Sequence, residues 1–130
     1  MIVDTSALVA ILRDEPDAPR YAAALAGEVG PLLSAATFVE AAIVVDANRD
    51  PILSARFDDL LAIARVKIEP VTREHAELAR QAYRDYGKGS GHPAGLNFGD
   101  CFSYALARAT RDRLLFKGAD FTHTDVTPAL

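Results

Sequence analysis

Four acids stand in this chain where carboxylates can do chemistry. Asp4 closes an apolar run at the very start, Glu40 and Asp100 lie within apolar stretches, and Asp120 follows the last apolar run by four residues. Carboxylates brought together repel one another, and more strongly in a partly dry cleft. A hard divalent cation relieves that repulsion: Mg²⁺ favours oxygen ligands, keeps several waters and takes one or two carboxylates directly. Opposite a phosphate, such an ion supports attack by water and stabilises the charge growing on the leaving oxygen. The joint set points to phosphoryl chemistry.

Each acid also has a structural role open to it. Asp4 can cap the helix that follows, although Thr5 and Ser6 beside it could do the same without a buried charge. Glu40 completes a Thr-x-x-Glu capping box with Thr37, yet Ala36, Ile43 and Val44 make its helix face apolar. A carboxylate buried there needs a partner or a metal. Asp100 can complement a helix N-terminus with Asn97 as N-cap. Asp120, two residues after Gly118, fits a turn.

Other groupings carry less. His75, His92 and His123 sit on different elements without metal-ligand spacing, which disfavours Zn²⁺. Cys101 has no His at a useful spacing and is expected as a small core residue. GKGSG at 87–91 follows a helix and lacks the GxxxxGK[ST] pattern of a phosphate loop. Arg108, Arg111 and Arg113 crowd a helix C-terminus, where the dipole favours cations. Lys117, after the last strand, is the one cation expected to face a substrate phosphate.

The elements that must position the acids can be read from patterning. Residues 1–4 begin as a buried strand, Ser6 to Leu12 reads as a helix broken at Glu15-Pro16, and a second helix covers Ala18 to Leu25. Pro31 to Ser34 is a short strand, followed by a helix through Phe38, Ala41, Ala42 and Val45. Asp50-Pro51 opens a helix with Leu53, Phe57, Leu60, Leu61 and Ala64 on one face. Val66 to Glu69 alternates like an edge strand, and Thr72 caps a helix ending at Gly87. Residues 87–95 hold four of the eight glycines and read as a mobile loop with Lys88 and His92 available to a substrate. A helix from Phe98 to Thr110 and the strand Leu114 to Phe116 complete the pattern. Strands alternating with helices and never joined by hairpins predict an α/β fold, a short parallel β-sheet flanked by helices on both faces. Its ligand crevice then lies at the carboxyl ends of the strands, where the four acids gather.

Composition sets the bounds. The 130 residues suit one domain, residues 1–130, with a core that needs no staples. Fourteen Lys and Arg stand against 18 Asp and Glu, a net charge of −4 that disfavours a static nucleic-acid-binding module. An enzyme that meets phosphate through metal ions remains compatible with it. One Cys allows no internal disulfide. No stretch approaches the ~20 apolar residues of a membrane span, and no basic region precedes the first apolar run. A cytoplasmic chain is expected.

These residues also carry a resemblance. MIVDTSALVAIL at 1–12, Glu40 in the third helix, GLNFGDCFSYALA at 95–107 and Leu-Leu-Phe-Lys-Gly-x-Asp-Phe at 114–121 resemble the PIN-domain ribonucleases. Within them, the whole chain is similar to VapC-type toxins of bacterial toxin–antitoxin pairs. The resemblance implies an acidic triad of Asp4, Glu40 and Asp100 that binds Mg²⁺ or Mn²⁺. Asp4 and Asp100 would be the direct ligands, and Glu40 would hold or orient a water. Many members carry a fourth acid where this chain has Gly118, with Asp120 two residues later. Thr5 and Ser6 match hydroxyl residues that orient the first acid or contact phosphate. The implied activity is endonucleolytic cleavage of RNA, often tRNA or ribosomal RNA, by a homodimer silenced by a cognate antitoxin.

Three rivals belong to other classes. A receiver-like signalling domain needs a phosphoacceptor Asp ending its third strand, where this chain has Glu69. An aspartyl-nucleophile phosphatase wants a second Asp two residues after the first, where Ser6 stands. A catalytically inert member acting only through its antitoxin complex is at odds with the intact triad.

Overall fold

A computed structural model describes residues 1–130. Four short strands, β1 (Ile2–Val3), β2 (Leu32–Ser34), β3 (Lys67–Glu69) and β4 (Leu114–Leu115), form one sheet in the order β3-β2-β1-β4. Every pairing is parallel, with Ile2 opposite both Leu32 and Leu114, and Leu33 opposite Ile68. The chain builds outward from β1 through β2 to β3, then returns to place β4 on the other side of β1. That reversal makes the carboxyl ends of β1 and β4 the switch point where such sheets hold ligands.

Two cores lie on the two faces of the sheet, and alternation along β1 decides which residue enters which. Val3 and Leu115 face one core with Leu8, Leu12, Tyr21, Leu25, Leu33, Val45 and Phe57. Apart from Leu33 on β2, these come from α1 (Thr5–Leu12), α2 (Ala18–Ala26), α3 (Ala35–Asp46) and α4 (Pro51–Ile63). Ile2 and Leu114 face the other core with Ala79, Leu96, Cys101, Tyr104 and Leu106. Those side chains come from α5 (Arg73–Tyr86), α6 (Phe98–Thr110) and the loop between them. Two-sided burial explains why β1 and β4 read as apolar runs, whereas β3 at the sheet edge leaves Lys67 and Ile68 exposed.

Local signals set the helix starts. Asp50 accepts from the Ile52 amide at 2.9 Å, with Pro51 beginning α4, and Thr72 accepts from the His75 amide at 3.1 Å to open α5. The loop expected at 87–95 is closed at its base: Leu96 donates to the Tyr86 carbonyl and Lys88 to the Leu96 carbonyl, both at 2.8 Å. The His92 ring meets Tyr86 edge-on.

Candidate active site

Asp4 follows β1 directly and is the N-cap of α1. It is 3% exposed and takes three hydrogen bonds. Its Oδ2 accepts from the Ser6 amide at 3.0 Å and the Ser6 hydroxyl at 2.6 Å, and its Oδ1 accepts from the Ser103 hydroxyl at 2.6 Å. The capping role weighed for Asp4 is therefore real, and it coexists with a place in the acid cluster.

Glu40, on the second turn of α3, is held differently from the sequence expectation. The Thr37–Glu40 capping box does not form: the N-cap of α3 is Ser34, and the Thr37 hydroxyl turns instead to Ser103 at 3.2 Å. Glu40 Oε1 accepts from the Thr5 hydroxyl at 2.5 Å. Its Oε2 lies against Gly99, so close that a Cβ at that position would stand 1.5 Å from it. Burial pushes the Glu40 carboxyl up, the Thr5 hydrogen bond pulls it back, and the Asp4 charge raises it further.

Asp100 sits in the first turn of α6 and closes a capping box: its amide donates to Asn97 Oδ1 at 2.9 Å, and its Oδ2 accepts from the Asn97 amide at 3.0 Å. Only 8% of it is exposed. Burial pushes its carboxyl up to about 7 against the Asn97 hydrogen bond, and Asp4, Asp120 and Glu40 add repulsion in the same direction. No cation is among the groups that act on it. Asp120 is exposed in the turn after Gly118, whose φ of +102° is a conformation that favours glycine, yet it lies near enough to act on Asp100. Asp4, Glu40, Asp100 and Asp120 thus lie toward the carboxyl end of the sheet, and the other three each raise the Asp100 carboxyl by their charge.

The hydroxyls expected to serve Asp4 divide the work, with Ser6 on Asp4 and Thr5 on Glu40. The expectation for Lys117 needs correction. Its ammonium turns away to pair with Glu15 and, at 2.7 Å, with Asp17, and those bonds push it further up. Lys117 reaches the site through its backbone, donating its amide to Ser6 Oγ at 3.0 Å. Arg108 and Arg113 are likewise engaged elsewhere, with Asp125 at 3.3 Å and Glu28 at 2.5 Å. Cys101 is buried as expected, and burial raises its thiol to about 11, away from nucleophilic use.

Sequence reasoning missed Gly99, Ser103 and the hydroxyl role of Thr37. Ser103 did leave a trace: it interrupts the apolar run Cys101 to Leu106 one turn beyond Asp100. No three His, Cys, Asp or Glu side chains converge closely enough to hold a metal ion among themselves. The donor set still suits Mg²⁺, which needs one or two carboxylates and completes its shell with water. Asp4 and Asp100 supply hard oxygens, and the uncompensated charge at Asp100 is what a divalent cation would neutralise.

Residues 1–126 match the PIN domain family. Ribonuclease VapC28 of Mycobacterium tuberculosis is 59% identical over 130 residues, spanning 100% of this chain and 98% of that protein. Ribonuclease VapC30 of the same species is 49% identical over 126 residues, 97% of this chain and 95% of that protein. Among solved structures, Mycobacterium tuberculosis VapC20, described as a sarcin-ricin loop cleaving toxin, superposes with a TM-score of 0.72 at 19% identity, covering 98% of each chain. A toxin-antitoxin complex from Klebsiella pneumoniae gives 0.72 at 18% identity, covering 99% of this chain and 97% of that one. At those identities the two likenesses establish the fold.

Proposed function

The chain belongs to the PIN-domain family, closely related to the VapC ribonuclease toxins, and from that membership we propose that it is a Mg²⁺- or Mn²⁺-dependent endoribonuclease, the toxin of a toxin–antitoxin pair. The observation that supports this reading is geometric: Thr5, beside Asp4, donates to Glu40, Glu40 Oε2 lies against Gly99 beside Asp100, and Ser103 on the Asp100 helix donates to Asp4.

Asp4 and Asp100 would hold the cation, which when bound supplies positive charge opposite the phosphate and the leaving oxygen. Ser6 and Ser103 keep the Asp4 carboxylate from rotating, and the Asn97 capping box does the same for Asp100. Glu40 takes the proton of the attacking water at Oε2, the oxygen Thr5 leaves free. Burial raises its carboxyl, the direction that makes it a better proton acceptor. Water attacks phosphorus, the bond to the ribose oxygen breaks, and a solvent proton completes the leaving hydroxyl. The substrate class is structured tRNA or ribosomal RNA. The chain works in the cytoplasm as a homodimer, and a cognate antitoxin silences it.

The test is incubation of the antitoxin-free chain with bacterial total RNA in Mg²⁺, in EDTA, and as Asp4→Ala. Discrete products requiring both the metal and Asp4 are expected. RNA left intact in both Mg²⁺ and Mn²⁺, with no cation binding by calorimetry, would make the acids structural.

A further inference from the structure

We propose that Thr37 and Ser103 form a buried hydroxyl relay that positions the Asp4 carboxylate and registers the three acids against one another. Both side chains are fully buried, at 0% exposure. Ser103 donates its one hydroxyl proton to Asp4 Oδ1 at 2.6 Å, so across the 3.2 Å contact it is Thr37 that donates and Ser103 that accepts. The proton order therefore runs one way, from Thr37 through Ser103 to Asp4, and no buried polar side-chain atom is left without a partner.

The placement of the two hydroxyls makes this more than local satisfaction. Thr37 lies three residues before Glu40 on α3, and Ser103 lies three residues after Asp100 on α6. Each hydroxyl is thus one helical turn from an acid on the same helix. Linking Thr37 to Ser103 fixes α3 against α6, and linking Ser103 to Asp4 fixes both against the end of β1. A single buried point sets the spacing of three acids that would otherwise repel one another apart. A Ser at 103 and a Thr at 37 are also poor choices for an apolar interior unless each finds a partner, because an unpaired buried hydroxyl is costly. Ser6 already satisfies Oδ2 of Asp4, so the relay governs the other oxygen.

The proposal rests on the reading of Asp4 as a cation ligand, and its test measures cation binding rather than cleavage. Mg²⁺ and Mn²⁺ are titrated calorimetrically into the purified chain and into Ser103→Ala, Thr37→Val, Thr37→Ser and the double variant, with Asp4→Ala as reference. Ser103→Ala is expected to weaken binding about ten-fold, the low end of the range for partners of metal ligands. Thr37→Val weakens it less, Thr37→Ser keeps the native affinity, and the double variant is no worse than Ser103→Ala because one chain is already cut. Melting of each cation-free variant separates this from mere loss of packing. Native affinity in Ser103→Ala, with binding lost in Asp4→Ala, would overturn the relay and leave the nuclease reading standing. Native affinity in Asp4→Ala would overturn both.

Discussion

Two groups of acids lie near the carboxyl end of this sheet, and they are treated in opposite ways. Glu15 and Asp17, on the α1–α2 connection, close on the Lys117 ammonium, and the Lys117 bond holds the Asp17 carboxyl below its ordinary range. Asp4, Glu40 and Asp100 receive hydroxyl and amide donors but no cation, and burial carries Glu40 and Asp100 upward. Lys117 touches both groups, giving its charge to the first and only its backbone amide to the second, through Ser6. A carboxylate group that only holds the fold together is neutralised within the chain. On the function proposed above, the group left without its counter-charge is the one that would take an ion from outside.

Removing the acids that lack a cation should have the largest consequence. Asp4→Ala and Asp100→Asn are each expected to cut cleavage by roughly a thousand-fold or more, as losing a central member of a catalytic unit does. Circular dichroism should show the fold retained, and survival of cells expressing either variant without antitoxin provides a second check. Next comes Gly99→Ala. The added methyl collides with the Glu40 carboxylate tip, which swings aside because it ends a flexible side chain. A displacement of that size costs about a hundred-fold in rate, read as a loss in kcat, while α6 gains helix propensity at that position.

The two groups should also differ in their pH slopes. The folded Asp100 carboxyl stands at about 7 against 3.8 unfolded, so the folded, cation-free chain binds the extra proton between those values. Stability therefore falls as pH rises from about 4 to about 7, by an amount on the order of a few kcal/mol for so buried a group. Thermal melts in EDTA across that window should show it, Asp100→Asn should flatten it, and Mg²⁺ should recover most stability at the alkaline end. Asp17, shifted downward, contributes stability present above its unfolded value and lost only as pH falls below about 4. The smallest effect is expected from Lys117→Met. It breaks a partly exposed pair of contacts of a kind worth little, shifting the melting temperature by no more than about a few degrees and leaving cleavage within about three-fold. A large loss of cleavage would return Lys117 to the substrate and dissolve the contrast.

Much of this arrangement was legible in the sequence because its signals are local. Asp50-Pro51, Thr72 and Asn97 each mark a helix start within three residues, and the apolar runs at Ile2–Val3 and Leu114–Leu115 report strands buried on both faces. The place of Asp4 directly after β1 follows from the apolar run it closes. What could not be read were choices of partner between distant elements. Thr37 had a plausible local acceptor in Glu40 and took Ser103, 66 residues away. The Lys117 ammonium pairs with Glu15 and Asp17, which arrive from about 100 residues upstream. Gly99 reads in sequence as a poor helix residue, and its reason appears only when α3 brings Glu40 against it.

The bare backbone at Gly99 has a practical side. On the proposed function the chain poisons the cell making it, and deleting an acid to prevent this also removes a charge from the site. One methyl group at position 99 would leave all of the acids in the chain and shift only the Glu40 tip. On the proposed function, such a form, slowed about a hundred-fold, would lengthen the life of a bound RNA while keeping every acid in place.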